Sequence, residues 1–166
     1  MKLNYLVVLA SSLIPMVVGM IWYNAKVMGN VWLAESGMTK EKANSGNMFK
    51  VVGFSMLFNV FVAMALHVMV IHQMGIYSTL MNEVGLNEVG SPLYNYLQDF
   101  MAKYGNNFRT FKHGAFHGFV IAIMFVLPIV GTSALYEQKS WKYIFIHVGY
   151  WAISLTLMGG VICAFA

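Results

Sequence analysis

The chain is short of charge and nearly empty of cysteine. Of its 166 residues ten are Lys or Arg and six are Asp or Glu, so 10% are charged, against about 25% in ordinary soluble domains. A soluble fold of this length needs a polar shell, and too few polar residues are present to make one. The single cysteine, Cys163, excludes an internal disulfide. Without a C-x-x-C pair or a Cys/His pattern around it, a thiolate zinc site is excluded as well, and the absence of C-x-x-C-H removes covalent haem attachment. Cys163 therefore reads as a small buried apolar residue. No phosphate-binding glycine loop, nucleophile elbow or HExxH motif occurs, so no catalytic residues are predicted. The net charge of +4 does not point to nucleic acid, because the basic residues are scattered over loops and helix ends, where they act as headgroup anchors.

Long apolar runs are what the chain has. With 59% hydrophobic residues, segments about 5–22, 51–73, 116–135 and 143–164 are each close to the roughly 20 helical residues that cross a hydrocarbon core of about 30 Å. Backbone groups in lipid must be satisfied within their own segment or in a closed barrel. Uninterrupted runs fit the helix, and the alternation of an outer-membrane strand is missing. The predicted class is all-α: one four-helix transmembrane domain over residues 1–166, with the lipid bilayer as its first partner. The first run follows a minimal basic start at Lys2, continues to Trp22 and lacks a small-residue cleavage pattern, so it is expected to be a retained span and not a signal peptide.

In the first span Ser12, Pro15, Gly19 and Trp22 share one face, a surface suited to close helix contact. The first loop, with Lys26, Trp32, Glu35, Lys40, Glu41 and Lys42, reads as an interfacial excursion. In the long second loop Ser91-Pro92 marks a helix start. Leu93, Leu97, Phe100, Met101 and Tyr104 then recur at helical spacing before Gly105, which predicts an amphipathic extramembrane helix over about 92–104. The third connection is short, so the last two spans form an antiparallel hairpin. Six Lys residues lie in the first and third loops, against four Lys and Arg at the N-terminus and in the second loop. That bias predicts both termini on the outer, periplasmic side.

Four of the five histidines gather at one end. His67 and His72 close the second span, and His113 and His117 open the third one turn apart. Counted from their span ends, His67 and His117 should lie at matched depth, roughly 8–9 Å inside the surface at 1.5 Å per residue. Imidazoles at matched depth on neighbouring helices suit haem or metal ligation, so His67 and His117 are the candidate cofactor pair, and His67, His72, His113 and His117 the candidate metal set. Gly114 and Gly118 beside them either make room for a flat cofactor or let two helices touch. The competing reading is local hydrogen bonding, under which no cofactor is expected; haem b or a transition metal is the alternative.

A second polar line, His147, Tyr150, Trp151 and Ser154, runs along the last span and should face the interior, where Ser55 and Asn59 of the second span can meet it. Interhelical hydrogen bonds of about 0.6–2 kcal/mol each would hold register. No Asp, Glu, Lys or Arg lies mid-span, which counts against an ion-coupled transporter. The 14 methionines are dispersed and read as flexible filler.

Gly19-Met-Ile-Trp22-Tyr23 with Lys26, Gly29 and Trp32 resembles the exit of the first span in the domain of unknown function 1761 family of bacterial membrane proteins. Ala134-Leu-Tyr-Glu137-Gln-Lys-Ser140-Trp141-Lys142, leading into His147-Val-Gly149-Tyr150-Trp151 and Met158-Gly159-Gly160, resembles its closing hairpin. The second loop, with Tyr104-Gly105-Asn106-Asn107-Phe108-Arg109, is similar to a version found in Bacteroidota. The resemblance implies a multi-pass protein of the bacterial inner membrane and no established activity. Three functions stay open: a non-catalytic subunit or scaffold of a membrane assembly or homo-oligomer, a small-solute channel or transporter, and a haem- or metal-binding redox subunit using His67 and His117.

Overall fold

The structure is a computed structural model and describes residues 4–166. Among the described residues four helices are long and apolar enough to cross a membrane: Tyr5–Trp22, Met48–Val70, Phe111–Tyr136 and Trp141–Phe165. Their outward faces carry exposed Leu6, Met20, Phe58, Met64, Phe116 and Met124. That apolar belt needs lipid, and the chain is a membrane protein.

The fourth span is the centre of the bundle. Of its apolar window 44% is buried, against 22–28% for the other three. Ile144, Leu155, Met158, Ile162 and Cys163 lie in its interior faces with almost no exposure. Its most extensive contact is with the first half of the third span, Phe111–Ile121, and glycine makes that contact possible. A Cβ on Gly114 would sit 2.0 Å from the Gly159 carbonyl oxygen, and one on Gly118 would sit 2.0 Å from that of Leu155. The two helices touch backbone to backbone, the arrangement small residues permit in lipid. The G-x-x-x-G stripe is thus a helix contact, and no cofactor plane fits in it.

Two spans are interrupted where proline removes a backbone donor. In the first, helix breaks at Ser12 and Leu13 ahead of Pro15, and the freed turn is held by Ser11 Oγ donating to Val8 O at 2.7 Å and Ser12 Oγ to Leu9 O at 2.6 Å. In the third, residues Ala122–Val126 widen into a π-helical turn just before Pro128, as expected where a proline ring meets the preceding turn. The second span contacts the third mainly along Phe111–Ile121, below this widened turn.

The third span begins at Phe111, five residues earlier than its apolar run, because Thr110 caps it: its hydroxyl accepts from the His113 backbone N–H at 3.2 Å. Helix Pro92–Tyr104 in the second loop is capped in the same way by Ser91, which accepts from the Tyr94 N–H. The first loop is largely helical, with Ala25–Gly29 π-helical and Asn30–Ser36 and Lys40–Asn44 α-helical.

That loop is tied to the hairpin between spans three and four. Ser140 Oγ donates to the Glu35 carboxylate, Lys142 Nζ stands 3.4 Å from it, and Lys139 Nζ donates to Ser36 O at 2.8 Å. The Ser140 hydrogen bond first, then Lys142, holds the Glu35 carboxyl below the usual carboxylate range. A depressed folded-state pKa adds stability above the unfolded value of about 4.3, and that stability is lost as pH falls through the folded value. Glu35→Gln is therefore expected to loosen the hairpin end at pH 7. At a pH acidic enough to protonate the wild-type carboxyl, the two proteins should behave alike. The distance distribution between spin labels placed in the two segments, followed across pH, reads this directly.

Candidate metal centre

The second span stays helical only to Val70. Ile71 is extended, with φ −107° and ψ 93°, and His72 opens a new short helix, Gln73–Thr79. The break takes His72 out of the register of the span and brings it against the start of the third span, where His113 and His117 stand one turn apart. His72 Nε2 lies 2.8 Å from His113 Nε2. Ring centroids are 5.0 Å apart for His72–His113, 5.0 Å for His72–His117 and 4.5 Å for His113–His117. One ring nitrogen from each of the three lies within 4.8 Å of the other two. His72 is exposed, while His113 and His117 are half-buried.

Those spacings suit one ion. Zinc–imidazole bonds of about 2.0–2.1 Å in a tetrahedron place ligand nitrogens about 3.3 Å apart, between the closest and widest separations present. Without metal, two facing Nε2 atoms must share a proton; with metal, both offer lone pairs and their protons move to Nδ1. The donor set contains imidazole and no carboxylate. It favours zinc, copper, nickel or iron over magnesium or calcium, which take oxygen ligands.

The segment around the triad is held from behind. Arg109 Nε donates to Cys163 O at 2.8 Å, and its Nη2 donates to Ala166 O, so the loop before the third span is bound to the end of the fourth. Gln73 Nε2 donates to Tyr104 O at 3.2 Å and to Asn107 O at 2.9 Å. The Cys163 thiol donates to Val70 O and Phe108 O. Phe108 adopts φ 62° and packs its ring against His113, centroid to centroid 5.1 Å. On its open side His72 borders a cavity of about 360 Å³ between helices Gln73–Thr79 and Pro92–Tyr104, with Thr79, Tyr96 and Phe100 in its wall. A fourth ligand or a substrate has room to approach there.

The family model described as a protein of unknown function (DUF1761) matches residues 6–163, nearly the whole chain. The chain belongs to the DUF1761 family. No curated relative and no solved structure matches it. In this DUF1761 chain the four terminal histidines therefore separate by position. Three form the group just described. His67, one turn above Ile71, is not part of it; it is 4% exposed, and its Nε2 is buried without a hydrogen-bond partner among the described residues.

The second polar line of the DUF1761 chain meets the first span. Tyr150 OH donates to Pro15 O at 3.1 Å, Trp22 Nε1 donates to Ile146 O at 3.0 Å, and Tyr23 OH lies 3.1 Å from His147 Nδ1. Ser154 Oγ donates to Tyr150 O in its own helix. Asn59 is buried and Ser55 half-buried on the second span. Arg109, Gln73 and Phe108 were not singled out from the sequence as parts of a site. For Arg109 and Phe108 the signal is the dense polar run Gly105-Asn-Asn-Phe-Arg-Thr directly before a helix start; Gln73 carries none.

Proposed function

We propose that this protein is a membrane-embedded metal-binding protein that holds one borderline divalent transition ion, zinc or copper, on His72, His113 and His117. The observation that carries the reading is the convergence of three imidazole nitrogens, one from the break that follows the second span and two from the start of the third. Three ligands leave a fourth position for water or a substrate atom, the arrangement of an open site and not of a closed structural one. The site lies at the end of the bundle where the first span begins and the fourth ends, and the excess of Lys in the first and third loops favours the periplasmic side of an inner membrane for that end. Haem is disfavoured, because Gly114 and Gly118 are filled by the fourth span. A solute path along His147, Tyr150 and Ser154 is disfavoured by hydrogen bonds that already engage the Tyr150 and Ser154 hydroxyls and His147 Nδ1. A role as a subunit of a larger assembly is compatible with the metal, which such a subunit would carry.

The test is metal titration of the purified, chelator-treated protein in detergent. One equivalent of zinc is expected to bind. At a free concentration 100-fold above Kd it should stabilise the fold by about 2.7 kcal/mol, read as a rise in melting temperature. Zinc uptake below a tenth of an equivalent, with an unchanged melting temperature, refutes the proposal.

A further inference from the structure

Two cavities adjoin, one at the end of the bundle opposite the triad and one along the middle of the spans. One, of about 270 Å³, lies between the third and fourth spans and has Ser133, Glu137, Tyr143 and His147 in its wall. The other, of about 460 Å³, lies nearer the membrane centre among Val62, Leu66, Phe125 and Leu155. Ile129, Val130 and Trp151 line both, so polar pocket and apolar cleft lie side by side. The cleft sits where the third span widens into its π-helical turn, beyond the stretch along which it contacts the second. Apart from the Trp151 indole, every side chain lining it is apolar.

The polar half contains an unused hydrogen-bonding group. His147 Nε2 is buried and has no hydrogen-bond partner among the described residues, while Nδ1 is 3.1 Å from Tyr23 OH. Burial first, with Tyr150 and Tyr143 adding to it, pushes the Tyr23 pKa up, so its hydroxyl keeps its proton and can donate to Nδ1. In the tautomer in which Tyr23 OH donates to Nδ1, the imidazole proton resides on Nε2, which is then a donor in need of an acceptor. A buried donor left unpaired costs stability, and native structures seldom retain one. Glu137 at the mouth disfavours an anionic head. The nearby cation, Lys139, already donates to Ser36 O and lies over the Tyr143 ring.

We propose that the adjoining cavities bind an isoprenoid quinone, an amphiphile with a flat, neutral dicarbonyl ring as its head and an apolar tail. The head carbonyl accepts from His147 Nε2, Ser133 and Tyr143 supply further hydroxyls around the ring, and the tail lies in the cleft past Trp151. A polar head at the hairpin end with its tail toward the bilayer centre matches the way such a molecule already lies in lipid. This site is separate from the histidine triad and does not depend on it.

The experiment uses the full chain in phosphatidylcholine nanodiscs, titrated with decylubiquinone while tryptophan fluorescence is followed. Saturable quenching is expected, and Trp151→Phe should remove most of it. His147→Phe should weaken apparent affinity at least tenfold. His147→Gln, which keeps an N–H donor, should weaken it less, and His117→Ala should leave it unchanged. Monoolein, a neutral ester lipid, should compete poorly. Quenching that never saturates, equal quenching in wild type and in a folded His147→Phe protein, or equal competition by monoolein would each overturn the proposal.

Discussion

Gly118→Val is expected to prevent the bundle from assembling. Even the first carbon of the new side chain would lie 2.0 Å from the Leu155 carbonyl oxygen and 2.5 Å from its carbonyl carbon. These are backbone atoms inside a continuous helix, so no rotamer change relieves the clash; the third and fourth spans must part. Overpacking in a core that can adjust costs about 1–3 kcal/mol, and a rigid backbone contact belongs at or above the top of that range. Against a total stability of about 5–15 kcal/mol the loss is large, and it falls on the central contact of the fold. Gly53→Ala provides the contrast. A Cβ at Gly53 meets nothing within 4 Å, and alanine in a helix is better than glycine by about 0.5–1 kcal/mol. Thermal unfolding in detergent should therefore show Gly118→Val strongly destabilised or unrecoverable and Gly53→Ala at or slightly above wild type. A Gly118→Val protein with an unchanged melting temperature would show that the two spans do not touch at this point. Metal binding should fail along with the fold, since His113 and His117 ride on the same helix.

The spans were legible because the bilayer imposes a coarse rule, apolar length, that composition alone satisfies. Details inside the spans depended on single residues. Thr110 moved the start of the third span outward to Phe111 by capping it, although Lys112 and His113 made that stretch look like loop. The use of the Gly114 and Gly118 stripe could not be decided from spacing, since a flat cofactor and a facing helix both want small residues. The bulk that fills it, Gly159 and Leu155, comes from another part of the chain. The site was legible only as a neighbourhood. Connectivity alone places His67, His72, His113 and His117 at one end, but matching depths along ideal helices pairs His67 with His117. That step treats residues through Gln73 as one helix. Instead the helix stops at Val70 and Ile71 turns extended, with no proline or glycine in the sequence to mark the break. His72 is thereby redirected toward His113, a placement that follows from tertiary packing and that periodicity cannot reveal.

His117→Ala is expected to weaken zinc binding by two orders of magnitude or more, while His67→Ala leaves it within about threefold of wild type. Removing one of three ligands leaves two imidazoles and water, and even loss of an outer partner of a metal ligand commonly costs 10–100-fold. His113→Ala should match His117→Ala, because both ligands sit on one rigid helix and are half-buried. His72→Ala should also fall by a large factor. At that exposed position, on the far side of a helix break, imidazole added to the buffer has room to replace the missing ring, so partial rescue is expected there and not at His117. Arg109→Ala tests the support behind the ligands. It removes the donors that bind the loop to Cys163 O and Ala166 O without removing a ligand, so zinc should bind more weakly but at the same stoichiometry. Isothermal titration across this series, with melting temperatures measured on the metal-free proteins, separates ligand loss from misfolding. If His67→Ala abolished binding and His72→Ala did not, the site would be the pair at matched depth, and the triad would be three histidines brought together by packing alone.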